Sequence, residues 1–364
     1  MTTALIGTRK GLFGLDDDGV ELLAFVGVPV TNVSVDRRDG TVFVAVGHGH
    51  FGAKVHRSDD GGATFTEVGT PTYPPKPDDA ADVDPVRGTD VPWTVDMIWS
   101  LAPGHDDDAD AVWAGTLPGG LFRSPDRGDS WELIRPLWDD PSRSQWFGGG
   151  YDLPGIHSIC IDPRSADDVV VAISCGGVWR TEDRGASWTV RAEGMRAGYL
   201  PPEQAANPYT QDPHRVVRAP SDPDVLWCQH HSGMFRSTDN ADSWTEITDV
   251  APSTFGFAVA VHPAEADTAW FVPAVSDEVR IPVDGRMVVP RTADGGASFE
   301  AVGRGLPSER AFHLVYRHGL TVDDTGRRLL LGSTTGSMWI SEDGGDSFET
   351  VTNDLPPVFS VAFR

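Results

Sequence analysis

Cysteine is scarce: among 364 residues there are three, Cys160, Cys175 and Cys228. An odd number set in apolar or glycine-rich runs suits reduced thiols better than a disulfide framework, and no CxxC pair or other zinc spacing accompanies them. No run of about 18 uncharged apolar residues occurs, which argues against a helical membrane span. The opening "MTTALIGTRKGLFGL" has no long apolar segment after a basic one and no small-residue cleavage site, so a cytoplasmic location is expected. Basic residues are few as well. There are 29 Lys and Arg, nearly all Arg, against 54 Asp and Glu, for a formal net charge of −25. Such a chain repels nucleic-acid phosphates and anionic membranes alike, so neither is expected as a partner. The acidic runs "LDDDG" and "GHDDDADA" fall at expected turns and read as solvated surface. An EF-hand calcium loop would need a glycine and a terminal Glu at fixed spacings.

What the chain has in quantity is glycine, 40 residues, together with a hydrophobic content of 39%. Its length exceeds one ordinary compact core, so it should form two domains or one large repeat architecture. An internal repeat decides between them. The pattern Ser/Thr, any, Asp, any, Gly, any, any, aromatic occurs at Ser58-Asp60-Gly62-Phe65, Ser124-Asp126-Gly128-Trp131, Thr181-Asp183-Gly185-Trp188, Thr292-Asp294-Gly296-Phe299 and Ser341-Asp343-Gly345-Phe348. A sixth copy, Ser237-Asp239-Trp244, carries Ala241 in place of the glycine. Steps between the aspartates run from 49 residues (Asp294 to Asp343) to 66 (Asp60 to Asp126), the length of a four-stranded propeller blade.

Each copy follows β-rich runs such as "VVVAISCGGVWRT", two short apolar strands about a glycine turn, preceded by a further strand such as "IHSICIDP". A worn seventh copy is split between the ends. "ALIGTRKGLFGLDDDG" matches the second and third strands of a blade and "PPVFSVAFR" a first strand. The expected fold is all-β: one seven-bladed β-propeller domain over 1–364, its last blade closed by N-terminal strands pairing with the C-terminal strand. In the repeated turn the hydroxyl and carboxylate should bond nearby backbone groups, glycine should supply positive φ, and the aromatic should bury between the last two strands of its blade.

This motif resembles the Asp box, or BNR repeat, of the sialidase-like and VPS10-like propellers, and is similar to that of seven-bladed photosystem assembly factors and xyloglucanase-type glycosidases. The resemblance implies that Asp60, Asp126, Asp183, Asp239, Asp294 and Asp343 are structural and lie on the face opposite the working site. It specifies a fold, not an activity. In sialidases an Arg-Ile-Pro motif near the start of the propeller binds the substrate carboxylate. Here "VRIP" at 279–282 would make Arg280 that arginine, but it lies in the fifth blade, and with seven blades expected instead of six a true sialidase is not.

On the face away from the turns, four long segments, 66–95, 133–155, 190–212 and 273–288, bring Trp93, Trp138, Trp146, Tyr151, Tyr199 and Tyr209 over the axis. Counting six residues back from the proline that ends each first strand, or from Gly319 in "HLVYRHG", gives a ring of His157, His214 and His313 with Met97, Phe257, Thr31 and Val358. Three histidines at one height are candidate ligands of a divalent transition metal at the channel mouth. Around them, His230, Glu278 and Asp96 are candidate catalytic groups, and Arg280, Tyr151, His231, Trp146 and Lys54 candidate substrate-binding groups. His105, His262 and His318 are expected at strand ends on the opposite side. The expected function is hydrolase-like or lyase-like handling of a small polar molecule or glycan by a monomer or weak oligomer. The alternative is a non-catalytic binding or assembly scaffold.

Overall fold

The computed structural model describes residues 3–364, which form seven four-stranded antiparallel sheets and almost no helix. The first strands of successive sheets are Val30–Val35, Met97–Pro103, Ile156–Asp162, Pro213–Arg218, Gly256–Val261, Leu320–Val322 and Val358–Phe363. Each lies against the first strands of both neighbours, so they line a closed ring, a seven-bladed propeller. The seventh sheet is the split one: Val358–Phe363 pairs with Ala4–Thr8, Phe363 opposite Ala4. Among the described residues no helix is long and apolar enough to cross a membrane.

Polar side chains near the start of the first strands tie blade to blade. Asn32 Oδ1 accepts from Leu101 N (3.1 Å), Ser100 Oγ donates to Ile156 O (3.1 Å), Ser158 Oγ accepts from Val216 N (3.1 Å) and Ser360 Oγ accepts from Val33 N (3.2 Å). Apolar clusters fill the wedges between blades. One gathers Phe43 and Val55 of the first blade with Ile98, Val112 and Phe122 of the second.

The repeated turn has the same construction six times. At 124–131, Ser124 Oγ donates to Asp126 Oδ1 (2.8 Å) and accepts from Gly128 N (2.8 Å), and Ser130 gives the carboxylate its backbone N–H (2.8 Å) and its hydroxyl (2.6 Å). Gly128 has φ +94° and Ala241, the exception, +67°. The glycine also permits a close approach: a Cβ on Gly345 would lie 2.8 Å from Trp270 Nε1 of the preceding blade. The turn aromatic likewise packs against the preceding blade, not between the last two strands of its own. Trp131 Nε1 donates to Gly69 O and Trp244 Nε1 to Arg191 O, each at 2.9 Å. The motif therefore joins blades as well as turning a corner.

Strand register fixes which end is which. Val30, at the start of its strand, pairs with Val46, which pairs with Lys54, whereas Ser58, where the turn begins, pairs with Val42 at the far end. The repeated turns thus share one face, and the first strands begin on the other.

Candidate functional site

On that second face six of the seven blades interrupt their innermost ladder once. Pairing skips Thr31, Trp99, His157, His214, Phe257 and Phe359, and His318 takes the corresponding place before Gly319, whose carbonyl accepts from Gly332 N. A bulged residue leaves the alternation of the strand and re-aims its side chain. These seven positions surround the axis. Thr31, His157, His214 and Phe257 stand where the proline count places them, but Trp99 replaces Met97, His318 replaces His313 and Phe359 replaces Val358. Pro103 belongs to its strand, which turns only at Gly104, and the sixth first strand begins after Gly319 and ends at Val322, so Gly319 does not mark its end.

An axial cavity of ≈ 220 Å³ opens among Thr31, Trp99, His318 and Phe359, with Met97, Gly150, Tyr151, Arg280, Tyr316 and Arg317 completing its wall. Segments 133–155 and 273–288 supply Tyr151 and Arg280 to this wall. Arg317 is the unusual member. The residue just before the bulge is Val30, Ile98, Ile156, Pro213, Gly256 or Val358 in the other blades and a cation only here. The sixth first strand is three residues long, and Gly319 N bonds back to Tyr316 O (2.7 Å), so Arg317 is released from the ladder into the cavity wall. Its guanidinium is buried, 4.6 Å from the Trp99 ring centre and 5.4 Å from that of Phe257, and its Nε has no hydrogen-bond partner among the described residues. Arg280 lies 5.3 Å over Phe257 and is tied to Asp277 by its Nε (2.9 Å to the carbonyl) and by an ion pair.

His318, on the cavity wall, is held by His157 behind it. His318 Nε2 donates to His157 O (2.8 Å), which leaves the His318 lone pair on Nδ1. His157 Nε2 donates to Pro213 O (2.8 Å) while its Nδ1 accepts from Ser158 Oγ (3.0 Å), so no nitrogen of His157 is left for a metal. Burial, reinforced by Arg317 near His157 and by Arg215 near His318, pushes both imidazoles well below the usual histidine range.

Beside the cavity Asp212, His214 and His231 come together. Asp212 Oδ2 is 3.4 Å from His214 Nε2 and 3.3 Å from His231 Nδ1, while its Oδ1 accepts from Ser174 Oγ and Cys175 N, each at 3.1 Å. Although burial opposes it, the His214 and His231 rings hold the Asp212 carboxyl well below the usual carboxylate range. The Tyr199 ring lies 4.6 Å from that of His231, and His214 stacks on Phe257 at 4.4 Å.

The remaining candidates are dispersed. His313 is half-buried, bonded through Nδ1 to Thr335 Oγ1 (2.6 Å) and packed on Trp339, so it does not join His157 and His214 about a common point. His230 is fully buried beside the ring, its Nε2 accepting from Asp212 N (3.0 Å), and burial lowers its pKa to about 3. It supports the Asp212 loop and does not face the cavity. Trp146 is buried against Trp179, and Lys54 pairs with Glu67 (2.9 Å) on the outer strands of its blade. Asp96, beside Met97, and Glu278, bonded by Ser276, are exposed at the rim. Trp93 and Trp138 pack on one another, and Tyr209 on Trp179. Trp99, Asp212, Tyr316, Arg317 and Phe359 escaped the sequence reading, and His318 was set on the wrong face. The bulge register would have found them, since Asp212 lies two residues before its bulge and Arg317 one before the corresponding position.

No family model matches the chain. It is 24% identical over 227 residues to a xyloglucanase from a Paenibacillus species, spanning 54% of this chain and 20% of that protein. Among solved structures, a GH74 xyloglucanase from Xanthomonas campestris is similar over 96% of this chain and 52% of its own, with 16% identity and a TM-score of 0.65. YCF48 bound to D1 peptide is similar over 92% of this chain and 86% of its own, with 15% identity and a TM-score of 0.55. The chain therefore spans a fifth of its curated relative and about half of the Xanthomonas enzyme, and at these identities the structures share its fold.

Proposed function

We propose that this chain, acting as a single propeller domain of the Asp-box superfamily, binds and turns over a small polar ligand bearing an anionic group. A carboxylate-bearing glycan is the class that fits best. The observation that carries this is Arg317: a buried guanidinium on the cavity wall whose Nε has no partner is costly unless an anion completes it, and its planar fork matches a carboxylate. Arg280 stands ready as a second cation. Trp99, Tyr151 and Phe359 offer apolar faces to a sugar ring, and the likeness to a xyloglucanase supports a glycan.

Among the described residues the cavity wall carries no Asp or Glu. Two-carboxylate hydrolysis would have to borrow Asp96 or Glu278 from the rim, so lyase-type chemistry suits the wall better. Arg317 and Arg280 neutralise the ligand carboxylate and acidify the adjacent C–H. His318 Nδ1 takes that proton, the carbon–oxygen bond to the leaving sugar breaks as a C=C bond forms, and Tyr151 or Tyr316 returns a proton to the leaving oxygen. The test incubates the protein with uronate-containing and neutral oligosaccharides and follows unsaturated uronate by ultraviolet absorbance. Turnover confined to the acidic set and lost in Arg317→Gln is expected; equal handling of both sets, unaffected by Arg317→Gln, would sink the proposal.

A scaffold role is the second reading, favoured by the likeness to a propeller solved with a bound peptide. Peptide capture that survives Arg317→Gln, without turnover of any glycan, would support it instead.

A further inference from the structure

The Asp212, His214 and His231 cluster brings three possible ligand atoms together at one largely buried point. His214 Nδ1 lies 2.6 Å from Gly256 O and so carries a proton, which in a neutral ring leaves the lone pair on Nε2. That nitrogen faces Asp212 Oδ2 at 3.4 Å. With that ring neutral, two acceptors face each other where His214 and Asp212 side chains are only 3% and 4% exposed, and either a proton or a metal ion must lie between them.

The distances say what. At 3.4 and 3.3 Å the contacts from Oδ2 to His214 Nε2 and His231 Nδ1 are long for ionic hydrogen bonds, which cluster near about 2.7–2.9 Å. They match the ligand-to-ligand edge of a tetrahedral site whose bonds are about 2.0–2.1 Å, an edge of about 3.3–3.4 Å. All three ligand atoms lie within 4.8 Å of one another.

The outer contacts are those a metal site needs. Gly256 O fixes the His214 tautomer, and Ser174 and Cys175 occupy Asp212 Oδ1, which leaves Oδ2 for the ion. The cluster reaches solvent at His231. The His231 side chain is 22% exposed, whereas Gly149 packs closely on the cluster: a Cβ there would meet Cys175 Sγ at 2.8 Å, Ser174 Oγ at 3.2 Å and Asp212 Oδ2 at 3.4 Å. The next residues, Gly150 and Tyr151, line the axial cavity.

We propose that Asp212 Oδ2, His214 Nε2 and His231 Nδ1 bind a divalent first-row transition ion, with zinc the best match to this donor set, and leave a fourth position to solvent beside His231. This site is distinct from the expected His157, His214 and His313 triad. It needs neither the lyase-type reaction nor a glycan ligand, so it stands or falls separately from the proposed function.

The experiment uses untagged full-length protein stripped with chelator, titrated with Zn²⁺ by calorimetry and with Co²⁺ by visible absorption. Binding of one ion per chain, d–d bands of a low-symmetry Co²⁺ site, and a raised Tm are expected. His231→Ala, at a half-buried turn, should fold as judged by circular dichroism and weaken binding about 10- to 100-fold, as should Asp212→Asn, while His313→Ala binds as the parent does. Absence of heat and of a Tm change overturns the proposal, as does a folded His231→Ala that binds like the parent. A ¹⁵N spectrum of the stripped protein in buffer containing Zn²⁺, with both His214 nitrogens still protonated, would overturn it as well by showing that a proton fills the gap.

Discussion

The two ends of a blade have been treated in opposite ways. At one end six turns repeat the same hydroxyl, carboxylate, positive-φ residue and aromatic almost without change. At the other, seven symmetry-related positions, six of them bulges, carry Thr31, Trp99, His157, His214, Phe257, His318 and Phe359, with three histidines the only identity that recurs more than twice. Positions that share an environment and keep one solution are solving a shared problem of folding. Positions that share an environment and differ are solving a problem the ring has only once.

That contrast predicts separable losses. The largest is at the cavity: Arg317→Gln should lower affinity for an acidic glycan about 100-fold, as expected when a charge-assisted bond is lost, and leave Tm unchanged or raised because an unpaired buried charge is removed. Calorimetric titration and a melting scan on one preparation check both halves. At the turns the order reverses. Gly345→Ala, with φ +90° and Trp270 in the way, should cost about 2–3 kcal/mol in denaturant unfolding and leave ligand affinity unchanged. Ser124→Ala orphans Gly128 N and should cost about 1–2 kcal/mol by the same assay.

A pH experiment sharpens the same division. His157 and His318 are neutral when folded and have their pKa values pushed well below 6.5, so above that pH neither state binds a proton and they contribute no slope. Below it the unfolded chain takes up protons that the folded chain refuses, and stability should fall by about 1 kcal/mol per pH unit for each histidine. His318→Gln should flatten part of that fall in Tm between about pH 6.5 and pH 5; an unchanged slope would remove His318 from the account. The smallest effect belongs to Ala241→Gly, which relieves a φ of +67° but deletes a buried methyl group. Its change should stay within about 0.5 kcal/mol, and a larger shift in either direction would show that the exceptional turn is not equivalent to the rest.

Much of the architecture was readable before any coordinates because the turn is local. Ser124, Asp126, Gly128 and Ser130 bond within seven residues, so their spacing survives in sequence and counts the blades. The cavity is assembled from residues far apart in sequence, and its register depends on where each first strand stops. Where a proline or its equivalent marked that stop, His157, His214 and Phe257 were placed; where the strand ran on to Gly104 or shortened before Asp323, Trp99 and Arg317 were missed. Asp212 was overlooked for another reason. It precedes a strand, and nothing local shows that its carboxylate turns toward His231, on a loop nearly twenty residues on.

The bulges have a consequence for how such a protein changes over time. A residue in a regular ladder answers to neighbours on both strands, and its replacement must be absorbed by the packing of the blade. A bulged residue is skipped by that pairing, so the axial positions behave like the pins of a lock mounted in a rigid cylinder. Each can be exchanged with little disturbance to the ring, and each exchange alters the shape and charge offered to whatever enters. Selection can therefore explore new ligands one pin at a time without reopening the question of whether the chain folds.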